Sequence, residues 1–452
     1  MENFQIAFGL ACYKPRKQEE KENELVFHER CFVLPDKVTQ LKCRHRTTFA
    51  LLKKTQQKIM RSTYVLFPVV LLAAFFTACK SDTSKASVGA DQPDKPELFL
   101  YTANVENLRL REAPNQNSNV LAQLKEGEVV EGAGNESTNQ EEIELRGISY
   151  RAPYYQVTAT TGDRHSGWAF GGALTWVYAG PRTGSPDTER IGAFSAFLKT
   201  LDTKDLSSGG KAWGYVQQNL ADAPRPLADA TFILLERFLR RMEIEGEFYK
   251  ITEQVAFTEE DDKAVYNERF DYSKYPATAP IDDNGFRLVW SEGTIFPVVD
   301  WQKLQEYFGP LTTQTMQKFI NQRTSEQRVP IFSDGGIIIP LSKVADVAVF
   351  WEKFNNENPY FPLREETRES ERWMQLVLLN GADNTPAFTS ETGMVSEDFK
   401  STWEYVQQQY PSTKLGKMTK ELTDLCAAEG WKRTDKVEAF RENVTQQYTN
   451  QQ

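Results

Sequence analysis

Phe99-Leu100-Tyr101, Leu108-Arg109-Leu110-Arg111 and Val120-Leu121-Ala122-Gln123-Leu124 are short runs separated by turn residues such as Ala113-Pro114-Asn115 and Glu126-Gly127. Their period is two, the repeat of a β-strand whose side chains alternate between faces. A polar, Gly-rich excursion from Glu131 to Gly147 follows, then further strand signals at Tyr154-Tyr155-Gln156-Val157 and Gly167-Trp168-Ala169-Phe170. Runs this short and this closely spaced predict a small all-β barrel over residues 98–178.

Downstream, residues 179–188 (Ala-Gly-Pro-Arg-Thr-Gly-Ser-Pro-Asp-Thr) read as a Gly/Pro linker, and beyond it the period changes. Ile191, Phe194, Phe197, Leu198 and Leu201 follow helical spacing, as do Phe232, Leu235, Phe238, Leu239 and Met242 after the helix-starting Pro226. Residues 189–452 therefore read as a mainly α-helical domain with minor β, the strand-like pieces being Phe286 to Trp290 and Ile337 to Ile339. Within it Trp351-Glu352 reaches Pro359 and Leu363, and Trp403-Glu404 reaches Pro411 and Leu415, so one pattern recurs at an offset of 52. Each copy predicts a helix that stops before a proline and a second helix packed back on it. The pair resembles tetratricopeptide-like hairpins, although the 34-residue period of that family is absent.

Upstream, Arg61 precedes an apolar run of 12 residues, Val65 to Phe76, and then Thr77-Ala78-Cys79 and a polar Lys80-Ser81-Asp82. That order is a signal peptide over residues 60–78, too short for the roughly 20 residues of a spanning helix. The segment resembles the lipobox of bacterial lipoproteins, with Phe76 where the family prefers Leu. The resemblance implies cleavage before Cys79, lipidation of its thiol and attachment to a membrane. Lys80 after the cysteine, by the same resemblance, favours the outer membrane. Residues 1–59 hold Cys12, Cys31 and Cys43 but neither strand alternation nor a capped helix, and read as a mis-called start or leader. Residues 79–97 are the lipidated cysteine and a Ser/Asp/Lys/Gly/Pro tether with too little apolar surface to order itself.

The barrel residues carry a second resemblance. Asn107-Leu108-Arg109-Leu110-Arg111, Pro114, Val120, Leu124, Gly127 and Val130, followed by Tyr155-Gln156-Val157 and Gly167-Trp168-Ala169 with Leu174, resemble the bacterial SH3-like (SH3b) domain. The long insertion between Val130 and Tyr154 is the departure. The resemblance implies a cell-envelope role and binding of peptidoglycan peptides or an envelope protein through loop aromatics, with Tyr154, Tyr155 and Trp168 as the contact residues. A Trp after Gly in a closing strand reads more naturally as core, which makes Tyr154 the expected surface residue.

Thirteen of the 53 Lys+Arg and seven of the 63 Asp+Glu precede Cys79, leaving 40 basic and 56 acidic groups, net −16, in the mature chain. A field of that sign disfavours nucleic acid. Of the cysteines and histidines only Cys79, Cys426 and His165 remain. A cysteine peptidase needs an imidazole beside its thiol, and catalytic zinc needs two or three His or Cys ligands. The expectation is thus a non-catalytic binder with no metal or cofactor. The alternative is a carboxylate-dependent cell-wall glycosidase, which needs only two acidic side chains; Glu292, after the apolar Phe286 to Trp290 run, is its first candidate.

Overall fold

A computed structural model describes residues 95–182, 185–291 and 293–449. The expected signal peptide, Cys79, the tether as far as residue 94 and Glu292 lie outside these residues. Seven strands form one antiparallel sheet: β1 (Leu98–Ala103), β2 (Leu108–Arg111), β3 (Val120–Leu124), β4 (Val129–Leu145), β5 (Ile148–Ala159), β6 (Ser166–Phe170) and β7 (Leu174–Gly180). Their order is β3-β2-β6-β5-β4-β1-β7. The expected runs all fall within these strands, but among the described residues the ladder is open, because β3 and β7 do not pair with each other.

The segment read as an excursion is instead a β-ribbon. β4 and β5 pair from Val130↔Ala159 out to Leu145↔Ile148, with register shifts on either side of Glu136. Arg146 and Gly147 close it with φ of 53° and 82°. Two consecutive positive φ values make the tight hairpin turn that matches strand twist. Most ribbon side chains face solvent, so the chain there carries little of the apolar alternation that marks a half-buried strand.

After Gly180 the chain is helical from Ser185: α1 (Ser185–Lys199), α2 (Ser207–Asn219), α3 (Arg225–Glu245) and the short α4 (Tyr249–Glu253), α5 (Glu259–Tyr266) and α6 (Ala279–Asp283). Pro226 sits in the first turn of α3, where its missing N–H costs no helical bond. This region shares a core with the sheet: Leu98, Leu100, Val129, Val177 and Tyr178 join Ile191, Phe194, Phe232 and Leu235 in one buried cluster.

The rest is a tandem array. Hairpin β8 (Phe286–Ser291)/β9 (Thr294–Val299) leads to α7 (Trp301–Phe308) and α8 (Gln314–Arg328). Hairpin β10 (Phe332–Ser333)/β11 (Gly336–Ile337) leads to α9 (Leu341–Glu357) and α10 (Arg364–Asn380). Hairpin β12 (Gly381–Ala382)/β13 (Thr385–Pro386) leads to α11 (Glu397–Gln409) and α12 (Lys414–Ala428), and α13 (Asp435–Thr449) closes the array. The second helices start at residues 314, 364 and 414. Trp301 and Pro310 form a looser, earlier counterpart of the Trp/Pro pattern, nine residues apart instead of eight and without its Glu and Leu. All three indoles are buried. Trp351 Nε1 donates to Glu326 Oε1 at 2.9 Å and Trp403 Nε1 to the Leu378 carbonyl at 2.7 Å. In both cases the acceptor lies on the second helix of the preceding unit, 25 residues back, so the repeat is a repeat of bonding as well as of sequence.

Candidate binding sites

The sheet distributes the three predicted contact residues over different environments. Tyr154, expected at the surface, is buried at 1% exposure. Its hydroxyl donates to Glu141 Oε2 at 2.8 Å and its N–H to Ser137 Oγ at 2.9 Å, and its ring meets Phe170 edge-on with centroids 5.7 Å apart. Glu141 and Ser137 both belong to the insertion. The ribbon therefore covers the tyrosine that a shorter loop would leave open. Burial, reinforced by the Glu141 carboxylate, pushes the Tyr154 phenol up.

Tyr155, the next residue along β5, points to the opposite face and is half-buried. It stacks on Tyr101 with centroids 5.3 Å apart and planes at 20°. Trp168, expected in the core, is half-buried, lying on β6 opposite Gln156 on one side and Arg111 on the other. Gln156 accepts from Asn135 Nδ2 at 3.2 Å, so Trp168 is bordered by an amide pair on the outside of the sheet. The three aromatics are neighbours in the ladder but do not form one surface.

A concavity lies elsewhere, between α9, α12 and α13, where an open cleft of about 510 Å³ is lined by side chains that include Asn356, Lys414, Lys417, Glu421, Phe440 and Tyr448. Its entrance is built on α12. Thr413 caps that helix, its hydroxyl accepting from Gly416 N at 2.9 Å. The buried Glu352 of α9 supplies a second cap, Oε1 accepting from Lys414 N at 2.6 Å and Oε2 from Leu415 N at 3.0 Å. With the Glu352 oxygens committed to backbone, the Lys414 ammonium rests 4.2 Å from the centroid of the Tyr448 ring, and partial desolvation lowers its basicity. The Tyr448 hydroxyl donates to Gln375 Oε1, which fixes the ring. Floor and rim thus combine aromatic and aliphatic surface with two ammonium groups, the two carboxylates of Glu352 and Glu421, and several amides.

The remaining chemistry-bearing residues are apart. Cys426 is fully buried on α12, and burial pushes its thiol up to about 11. His165 is exposed in the β5–β6 turn, 3.8 Å from Asp163. Among the described residues no three His, Cys, Asp or Glu side chains gather as a metal site, and no helix is long and apolar enough to cross a membrane. No protein-family model, curated protein or solved structure matches the chain.

Proposed function

We propose that this chain is a lipid-anchored cell-envelope protein, held by Cys79 and addressed to the outer membrane, with a non-catalytic role in binding a peptidoglycan peptide or a partner protein. In this reading the sheet is an SH3-like barrel of the SH3b type, and Trp168 with Gln156 lies on its ligand-facing side. The observation that carries the binding role is the cleft between α9, α12 and α13. Its volume of about 510 Å³ falls within the few hundred to about 1,000 Å³ of small-molecule sites. Lys414 and Lys417 beside the apolar Phe440 and Met418 suit a short peptide with a free carboxylate, the chemistry of a wall stem peptide.

The test uses residues 80–452 and purified sacculi, with soluble stem peptide as competitor. The expected result is co-sedimentation that the peptide competes away and that the double variant Lys414→Ala/Lys417→Ala weakens at least fivefold. Absence of co-sedimentation, or release of soluble fragments from the wall, would sink the binder reading. Metabolic labelling with a fatty-acid analogue tests the anchor: label is expected on the wild type and lost in Cys79→Ser.

A further inference from the structure

The face of the sheet opposite Tyr154 holds an aromatic cradle. Phe99 and Tyr101 of β1 form its buried floor. Trp176 of β7 lies 5.2 Å from the Phe99 ring and 6.2 Å from the Tyr101 ring, centroid to centroid, and Tyr155 stacks on Tyr101 from the other side. The ribbon adds two features. Gly134, at φ +66°, lies so close over Phe99 that a Cβ there would be 2.6 Å from the ring, and Glu136 places a carboxylate at the rim.

Into this cradle projects Arg364, the first residue of α10. Its guanidinium carbon is 5.1 Å from the Trp176 ring centroid, and Nη2 is 3.3 Å from Glu136 Oε2. Aromatic faces plus one carboxylate are the complete set of groups that recognise a guanidinium, which stacks on π faces and pairs with carboxylates. Tyr360 from the same α9–α10 turn meets Phe99 edge-on at 6.2 Å.

Two observations separate this contact from the packing that holds the molecule together. Phe361 and Leu363, on either side of Pro362, are anchored in the main core, so the backbone of the turn is fixed without help from the cradle. The Arg364 side chain itself remains 19% exposed. We infer that the Phe99/Tyr101/Tyr155/Trp176 cradle is a binding site for an arginine side chain of a partner protein, filled in this structure by the chain's own Arg364. A partner arginine enters as Arg364 swings out, so the resident side chain sets the threshold for binding. The inference does not depend on the α9/α12/α13 cleft.

The test compares residues 80–452 of the wild type with Arg364→Met, which keeps the apolar stem and removes the guanidinium. The probe is N-acetyl-arginine amide, followed by tryptophan fluorescence, with circular dichroism as the check on folding. Arg364→Met is expected to give a saturable change at millimolar probe. Wild type should respond at least tenfold more weakly. The response should drop at least fivefold in Arg364→Met/Glu136→Gln or with N-acetyl-lysine amide, and vanish in Arg364→Met/Trp176→Phe. A folded Arg364→Met that gives no saturable response, or one equal to the wild type's, overturns the inference. Unfolding of Arg364→Met at 25 °C would identify Arg364 as a structural clasp and overturn it equally.

Discussion

Glu243, on α3, is a half-buried carboxylate, with Val299 N donating to its Oε2 at 2.8 Å. Burial raises its pKa from 4.5 to about 6 against the opposing pull of that hydrogen bond and of Arg240. The folded state therefore holds the proton more tightly than the unfolded chain does, and stability falls as pH rises from about 4.5 to about 6. Glu243→Gln keeps an acceptor for Val299 and removes the charge. It is expected to be more stable than wild type at pH 8 by about 2 kcal/mol, with the difference disappearing at pH 4, as read by urea denaturation at both pH values. Glu352 makes the opposite case. It is 5% exposed and satisfies two backbone donors at the start of α12. Glu352→Ala orphans both, at roughly 1–3 kcal/mol for each buried group, so its denaturation midpoint should drop well below that of Glu352→Gln, which retains one acceptor.

Among elements, the sheet was legible because β2 keeps its alternation in the sequence, Leu108-Arg109-Leu110-Arg111, and because β1, buried at all six positions, is a short apolar run bounded by turn residues. The ribbon was less so, since only near its tip does one side, with Ile143, Leu145 and Tyr150, pack against the sheet core, while residues 133–142 are mostly exposed and polar. Its local signals are only the Arg146-Gly147 turn and the short alternation Glu142-Ile143-Glu144-Leu145. The looser Trp/Pro counterpart escaped reading because Trp301 opens its helix instead of lying inside it, and Gln302 replaces the Glu of the other two. The cleft was invisible for a different reason: Asn356, Lys414 and Phe440 are ordinary surface or helix-face residues until three helices bring them together. The ribbon also has a measurable consequence. Replacing residues 138–151 with a two-residue turn removes Glu141 and uncovers Tyr154. Tetranitromethane should then nitrate Tyr154 in the shortened protein and leave it unmodified in the wild type, by peptide mass spectrometry. Equal protection in both would show that the Phe170 contact alone buries the ring.

At the scale of the molecule, the sequence divides at the linker before α1, yet the described residues share a core across that division. Leu98, Leu100, Val129, Val177 and Tyr178 turn from the sheet into the same cluster as α1 and α3, and β7 packs on α3. Burying a large apolar side chain contributes about 1.5–3 kcal/mol. Five such residues therefore couple sheet and helices by an amount on the order of 10 kcal/mol before entropy is counted, comparable with the whole net stability of a typical domain. A coupling of that size leaves little room for one part to melt alone. Residues 80–452 are expected to unfold in one transition, coincident by tryptophan fluorescence and far-ultraviolet circular dichroism. Residues 185–452 by themselves should melt at least 10 °C lower and bind an apolar dye through the uncovered faces of α1 and α3. Two separate transitions in the longer protein, one at the melting temperature of the 185–452 fragment, would mean that the shared cluster is only an interface between independent folds.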